Sequence, residues 1–218
     1  MRPIVVTVGP LASASANNIA LSQTVTGAAN VTLNGALVTN GVAVLDKPRQ
    51  VLITNVGNDS GITFTVVGTD RYGASLSQTV TGTSGSSVAT TVDYATVTRI
   101  TTSGSTSVSG ITVGTNGVAG SEWVRFDEYA PSNISIQCTV SGTVNYTVQS
   151  TLDDPNSPTN PVAINAVTWV NSTDTAVVSQ SATKQSNFLF APLFARVLLN
   201  SGSGSVTTTF VQDSNGPY

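Results

Sequence analysis

The segment Ile62-Thr-Phe-Thr-Val66 carries the pattern that decides the fold. Ile62, Phe64 and Val66 alternate along it with Thr63 and Thr65. Because successive side chains of a β-strand point to opposite faces of the sheet, this period of two predicts a strand with one buried face and one solvated face. β-Branched and aromatic residues also favour a pleated sheet over a helix.

Turn signals border this segment on both sides. The preceding Gly57-Asn-Asp-Ser-Gly61 contains residues that tolerate a positive φ angle, and Asp70-Arg-Tyr-Gly73 predicts a hairpin turn into a strand at 74–81. Similar breaks recur roughly every 8 to 15 residues, which is typical of an all-β sandwich or barrel. The chain has 33 Thr, 27 Ser and 31 Val, whereas the strong helix formers Glu, Lys and Met are rare. We therefore predict an all-β fold.

The composition of the 218 residues excludes several classes of function. There are 8 Lys+Arg and 11 Asp+Glu, so only 9% of the residues are charged and the formal net charge is -3. Scattered cations on an acidic chain argue against a nucleic-acid partner. The chain has no His and one Cys, which excludes His-dependent nucleophiles, His-ligated metals, multi-Cys zinc sites and a disulfide framework. We expect no enzyme activity, no cofactor, and no catalytic, cofactor-binding or metal-binding residues.

A glycine-rich segment divides the chain into two predicted domains. Gly114-Thr-Asn-Gly-Val-Ala-Gly-Ser121 has three glycines and no charge, as flexible linkers do. Both Trp and five of the six Phe lie beyond it, which indicates a separate and more aromatic core. We predict two antiparallel β-sandwich domains. The first is residues 1–118, which include an N-terminal arm, and the second is residues 119–218, whose strands fit a sandwich or a jelly roll.

One seven-residue string occurs twice in the first half. Leu21-Ser-Gln-Thr-Val-Thr-Gly27 recurs as Leu76-Ser-Gln-Thr-Val-Thr-Gly82. The string indicates either an internal duplication or a chance match in a chain rich in Thr, Ser and Val, since the flanking residues do not match.

No stretch has the length of a secretory signal or a membrane span. The apolar run at 4–8 is too short for a signal peptide, and no run approaches the roughly 20 apolar residues of a transmembrane helix. A single Cys fits a protein made in a reducing cytoplasm. We expect no membrane partner.

Few residues qualify as ligands or nucleophiles. The adjacent acids Asp127-Glu128 and Asp153-Asp154 are either calcium ligands or solvated loop charges, and the second interpretation is favoured because the acids do not alternate with other ligands. Cys138 alternates in phase with Ile136 and Val140, so it is predicted to be a core residue.

Several aromatic residues of the second half allow two interpretations. They form a sugar-binding platform, or they fill the domain core or an oligomer interface, which is favoured; the residues are Trp123, Phe126, Tyr129 and Trp169. Arg196 lies in an apolar strand, so it is expected to pair with a carboxylate or to lie on an exposed face. The segment 153–161 contains three prolines and must be a loop.

Three strings in the first half resemble a known family. The stretch Leu45-Asp-Lys-Pro-Arg-Gln-Val-Leu-Ile-Thr-Asn-Val-Gly-Asn-Asp-Ser-Gly-Ile-Thr-Phe-Thr-Val-Val-Gly-Thr-Asp-Arg-Tyr-Gly73 is similar to β-domains in structural proteins of tailed-phage virions, as are Asp93-Tyr-Ala-Thr-Val-Thr-Arg-Ile100 and Gly110-Ile-Thr-Val-Gly-Thr-Asn-Gly117. The family uses jelly-roll or immunoglobulin-like sandwiches and offers no catalytic residues to transfer. The resemblance covers about 45–117, and the second half is similar only in general character.

The resemblance implies a head decoration or cement protein. Such a protein lies on the outer capsid surface of the virion, clamps neighbouring major capsid subunits and often forms a homotrimer, after production in the host cytoplasm. Addition of its N-terminal arm to the sheet edge of a neighbour would strengthen the contact. The expected interface residues are Arg2, Pro3, Ile4, Val5 and Val6.

Three alternatives of other classes remain. A tail or head-fibre component that binds a host receptor or glycan would use an exposed tip, for which the loop at 153–161 is the candidate. A carbohydrate-binding module would use the aromatic residues of the second half. An enzyme is the least favoured, because His is absent and carboxylates are few.

Overall fold

The computed structural model describes residues 3–127, 129–130 and 133–213. The prediction of an all-β fold with antiparallel β-sandwiches is confirmed. The 18 strands of the described residues are, in chain order, β1 (Ile4–Val8), β2 (Ser15–Gln23), β3 (Val38–Thr39), β4 (Val42–Arg49), β5 (Val51–Asn55), β6 (Thr63–Thr69), β7 (Ser75–Thr81), β8 (Ser87–Ala89), β9 (Tyr94–Thr102), β10 (Ile111–Thr115), β11 (Ala119–Gly120), β12 (Val124–Arg125), β13 (Ile134–Ser141), β14 (Val144–Thr151), β15 (Val170–Asn171), β16 (Lys184–Phe188), β17 (Phe194–Gly202) and β18 (Ser205–Gln212).

Among the described residues, the helical content is limited to two short 3₁₀ turns, Ile164–Ala166 and Thr175–Val177. Within the residues described, no helix has the length and the hydropathy needed to cross a membrane. The abundance of β-branched residues accounts for the low helical content, because Val and Thr lose side-chain freedom in a helix and pack well on a pleated sheet.

The chain forms two compact units, and one is inserted into the other. Ala12–Gly117 form the inserted unit, whereas Met1–Leu11 and Val118–Tyr218 together form the C-terminal unit. The division beyond residue 117 lies within the predicted linker. The start of the predicted domain 1–118 needs correction, because the N-terminal residues belong to the other sandwich.

Pairing with the last strand places the N-terminal residues in the C-terminal unit. β1 runs antiparallel to β18, from Ile4 opposite Phe210 to Val8 opposite Val206. Val6 and Val8 point inward and are 7% and 4% exposed, so they belong to the core of this unit. Burial of two valines and a full hydrogen-bond ladder stabilise this position. The sequence cannot show this contact, since its strands are about 200 residues apart.

The inserted unit is a sandwich of a four-stranded and a five-stranded sheet. The strand orders are β2-β10-β5-β8 and β3-β4-β9-β6-β7. Residues 63–66 of the alternating segment lie in β6, which pairs with β7 on one side and β9 on the other, while Ile62 directly precedes the strand. Phe64 and Val66 are fully buried between the sheets, while Thr65 lies on the outer face and exchanges a 2.9 Å hydrogen bond with Thr79.

A buried arginine holds the two ends of the inserted unit. Arg49 donates to the Ala12 carbonyl at 3.0 Å and, through Nε and Nη2, to the Asn116 carbonyl at 3.1 and 2.7 Å. Its Nη1 lies 2.8 Å from Oδ1 of Asp46, whose Oδ2 accepts a hydrogen bond from the Ala12 N–H at 2.7 Å. Burial acts to raise the pKa of Asp46, but the Ala12 N–H and the Arg49 charge outweigh it, so the pKa lies below 3.8. One side chain therefore binds the first residue of this unit and the residue just before its last.

The C-terminal unit is also a sandwich of two sheets. The strand orders are β1-β18-β13-β16 and β11-β17-β14-β15, with β12 paired beside β11 on β17. Its core contains the aromatic side chains of Phe126, Phe188 and Phe210. Ring centroids of Phe126 lie 6.3 Å from Phe188 and 5.7 Å from Phe210, in edge-to-face contacts.

Tight turns carry the chain between the two sheets of this unit. β13 continues into β14 at Gly142, and β17 continues into β18 through Gly202-Ser-Gly204. The second turn is not a β-hairpin, because the strands on either side of it lie in different sheets. A Cβ atom added to Gly204 would overlap the carbonyl oxygen of Ser141, so the two turns approach more closely than a side chain allows.

We expect Arg49→Met to lower the free energy of unfolding by about 2–4 kcal/mol, because it leaves buried carbonyl acceptors and Asp46 without their donor. Because the pKa of Asp46 is lowered on folding, its contribution is complete at neutral pH and is lost as the pH falls below 3.8 and through the folded-state pKa. Urea unfolding at pH 7 measures the loss. Arg99→Met, on an exposed face, is the control and should change stability by less than about 0.5 kcal/mol. Equal effects of the two changes would contradict the proposed role of Arg49.

We expect Gly204→Ala to destabilise the chain by about 1–3 kcal/mol, because the methyl group forces the two turns apart. Thermal unfolding followed by circular dichroism measures the effect. Gly61→Ala is the matched control, since nothing lies within 4 Å of its added Cβ atom. A normal melting temperature for Gly204→Ala would show that the turns have room to separate.

Candidate interaction surfaces

The predicted interface residues lie on β1 or just before it. Arg2 lies outside the described residues. Pro3 is exposed, and Ile4 and Val5 are 40% and 56% exposed. Val6 is a core residue, so its side chain is covered while β1 remains in its own sheet. The structure thus offers the backbone edge of β1 and the side chains of Ile4 and Val5 to a neighbour.

β1 forms one edge of its sheet. Its single strand partner among the described residues is β18, so the other edge of the strand meets no described strand. A free edge presents backbone N–H and C=O groups that can pair with another chain.

The outer face of this sheet is polar and uncharged. One row across it consists of Val5, Thr209, Gln137 and Gln185. Side chains bond across the strands, with 3.0 Å between the Thr7 and Thr207 hydroxyl oxygens and 3.1 Å from Gln185 Nε2 to Gln137 Oε1. The other residues of this face within the described strands are Thr207, Thr139, Val211, Ser135, Asn187, Ser141 and Ser205. The face therefore has hydrogen-bonding groups but no formal charge.

The structure brings together two of the four aromatic residues considered as a sugar platform. The Trp123 and Trp169 rings are edge-to-face, with centroids 4.9 Å apart. Phe126 is in the core instead, and Tyr129 is 83% exposed. A sugar platform needs open ring faces, and these two rings cover part of each other.

Arg196 completes this aromatic cluster. Its guanidinium lies 4.3 Å from the centroid of the Trp169 ring, and its Nε donates to Gln149 Oε1 at 3.0 Å. Arg196 is 7% exposed, which corrects the expectation of an exposed face. Cation–π stacking and a side-chain amide accommodate the charge in this covered position. The cluster packs the segment before β15 onto the outer face of the five-stranded sheet.

The acidic pair at 153–154 closes a loop. Asp153 Oδ2 accepts a 2.6 Å hydrogen bond from the Thr168 N–H, and the Asp154 carbonyl accepts one from Val162 at 3.1 Å. Arg125 lies 3.8 Å from the Asp154 carboxylate. The proline-containing segment is thus a compact loop with its ends held together, a type of loop that often has a function. Of the other acidic pair, Glu128 lies outside the described residues, and no group of three potential metal ligands occurs among those described.

Apolar side chains are exposed at the same end of the C-terminal unit. The Phe126 N–H donates to the Leu193 carbonyl, and the Leu193 N–H donates to the Thr151 carbonyl, so three loops meet there. Their exposed residues are Tyr129, Leu152, Leu189 and Phe190, at 83%, 72%, 80% and 41%. The sequence pattern alone does not identify Leu152, Leu189 and Phe190 as exposed side chains. The available signal was their position just after a strand, with Asp153 following Leu152 and Pro192 closely following Leu189 and Phe190, because residues beyond the end of a strand lie in surface loops.

Cys138 lies in the core, as predicted. Its side chain is fully buried, and its sulfur accepts a 3.3 Å hydrogen bond from the Thr208 hydroxyl. Burial raises the pKa of the thiol, so the reactive thiolate form is disfavoured.

We expect Trp169→Ala to increase proteolytic cleavage within 153–168 and to lower stability by about 2–4 kcal/mol, since it removes an aromatic ring and the stacking partner of Arg196. Limited proteolysis with mapped cleavage sites, together with urea unfolding, measures both effects. Tyr72→Ala, whose ring is 73% exposed, is the control and should leave both unchanged. Unaltered cleavage of the Trp169 variant would mean that the loop is held by its own hydrogen bonds alone.

No protein-family model matches the chain, and no curated protein matches it.

Proposed function

We propose that the protein is a non-enzymatic structural protein of a virion, a decoration or cement protein that clamps neighbouring major capsid subunits on the outer capsid surface. The observation that carries the proposal is the charge-free outer face of the sheet β1-β18-β13-β16, which ends in the free edge of β1. Such a surface suits contact with a permanent protein neighbour.

The low charge of this face supports a lasting interface. The centres of stable protein interfaces are depleted in charged residues, because an unpaired charge is costly to bury. Thr, Ser and Gln side chains, as found at Thr139, Ser135 and Gln137, can exchange hydrogen bonds with water for hydrogen bonds with a partner. A surface with so little charge also favours association over solubility.

The virion setting rests on the resemblance of three strings to β-domains of tailed-phage virion proteins. These strings span 45–73, 93–100 and 110–117, and all lie in the inserted unit. In this arrangement the inserted unit supplies the family-like sandwich and the C-terminal unit supplies the uncharged face.

A tail or head-fibre component that binds a host receptor or glycan is the second candidate. The three-loop end of the C-terminal unit favours it, because Tyr129, Leu189 and Phe190 are exposed there beside the closed loop 153–168. Loops on a rigid sandwich are common recognition sites.

We expect the purified protein to bind capsids that lack it and to co-sediment at a copy number of order hundreds per particle. Thr139→Glu should weaken capsid binding by about tenfold or more, because it introduces an unpaired charge on the uncharged face. Thr79→Glu, an exposed threonine on the sheet that already carries Arg99, is the matched control and should bind normally.

Absence of capsid binding by the unaltered protein would overturn the cement role. Binding at only a few copies per particle, abolished by Leu189→Ser with Phe190→Ser and not by Thr139→Glu, would favour the fibre role. Circular dichroism of each variant shows whether the fold is retained.

A further inference from the structure

We propose that the free edge of β1 pairs with β1 of a second copy of this chain. The two strands run antiparallel about a twofold axis, so that two four-stranded sheets become one sheet of eight strands. The inference rests on the proposed function for its setting in a multi-subunit shell, but the contact belongs to the purified chain and can be measured without a capsid.

β1 lacks the features that protect sheet edges. Its sequence, Ile-Val-Val-Thr-Val, has no charge and no proline, and its pairing with β18 is free of bulges. Natural edge strands are usually short, charged, bulged or covered, because an unprotected edge recruits another strand. An unprotected apolar edge therefore indicates a partner.

The other edge strands of the described residues are protected. β3, β11, β12 and β15 have two residues each and β8 has three, β2 has register shifts, and β16 begins with a lysine. β7 is long and uncharged, but Gln78 contacts the neighbouring segment, since its Oε1 accepts the Thr91 N–H at 2.9 Å and its Nε2 donates to the Thr91 hydroxyl at 2.7 Å. β1 has none of these protective features.

The strand is complementary to itself. In an antiparallel pair centred on Val6, Ile4 faces Val8 of the second copy and Val5 faces Thr7. All four positions are β-branched, and such cross-strand pairs stabilise a sheet. The pairing covers the exposed parts of Ile4 and Val5, and no like charges meet within the strands. The chemistry of the edge therefore fits a second copy of itself.

A head-to-tail contact with β16 of a second copy fits less well. It would place the apolar Val5 beside polar Gln185 or Asn187, at an edge that starts with Lys184. Such a head-to-tail contact builds either a closed ring, for example a trimer, or an open filament, whereas the β1 pair stops at two chains. The number of chains in the assembly thus distinguishes the two arrangements.

The dimer should be weak and dependent on concentration. A five-residue pairing covers less than the about 1,600 Å² of a standard stable interface, so we expect dissociation in the micromolar range or above. Sedimentation velocity over about 1 to 500 µM protein should show a shift from monomer to dimer.

Val5→Lys tests the edge directly. A lysine on an edge strand blocks pairing, so dimerisation should weaken by about tenfold or more. Val44→Lys is the matched control, because Val44 is 55% exposed against 56% for Val5, and it should dimerise as the unaltered chain does. Melting temperatures of both variants show that the fold is retained.

Cross-linking tests the register. Oxidation of a mixture of Val5→Cys and Thr7→Cys chains should give more disulfide-linked dimer than either variant alone, while Cys138 is fully buried and stays unreacted. A monomer at every concentration, a trimer, or equal effects of Val5→Lys and Val44→Lys would overturn the inference. A monomeric protein that binds capsids would overturn this contact alone, and a dimer that binds no capsid would overturn only the cement role.

Discussion

The hydrogen bonds of the Arg49 guanidinium join the two ends of the inserted unit. In the sequence, the inserted unit lies between β1 and β11, which both belong to the C-terminal unit. Its first and last residues must therefore be held close together. Arg49 binds the carbonyls of Ala12 and Asn116 and is neutralised by Asp46. A planar guanidinium with several donors can make these bonds at once, which a lysine ammonium at a single point cannot. The insertion is thereby compatible with a separate, closed core.

Alternation made part of the fold predictable. The period of two at 62–66 identified a strand, its buried face and its flanking turns, since these follow from local geometry. The repeated string shows the limit of local information. Leu76 lies in β7 and is buried, whereas Leu21 in β2 is 46% exposed, and the residues after Gln23 leave the strand. Identical residues therefore take different structures because their neighbours in space differ.

Contacts over long sequence separations account for what the sequence did not predict. The position of β1 depends on β18, and the burial of Arg196 depends on Trp169 and Gln149. Asp59 is another case, since its carboxylate accepts hydrogen bonds from the Ser107 N–H and the Asn55 amide and ties separate loops together. Ile4 and Val5 were predicted from the sequence as interface residues, and both are exposed. Val6 was predicted with them but is buried, because β1 pairs with β18 and Val6 points into the core.

The pairing of the first strand with the last has a consequence for synthesis of the chain. β1 leaves the ribosome about 200 residues before its partner β18. The inserted unit has all its strands by Thr115 and can fold in the meantime, as domains do during translation. Until β18 arrives, the apolar Ile4–Val8 segment has no strand to pair with, and the C-terminal sandwich lacks an edge. Completion of that sandwich therefore has to wait until β18 has been synthesised.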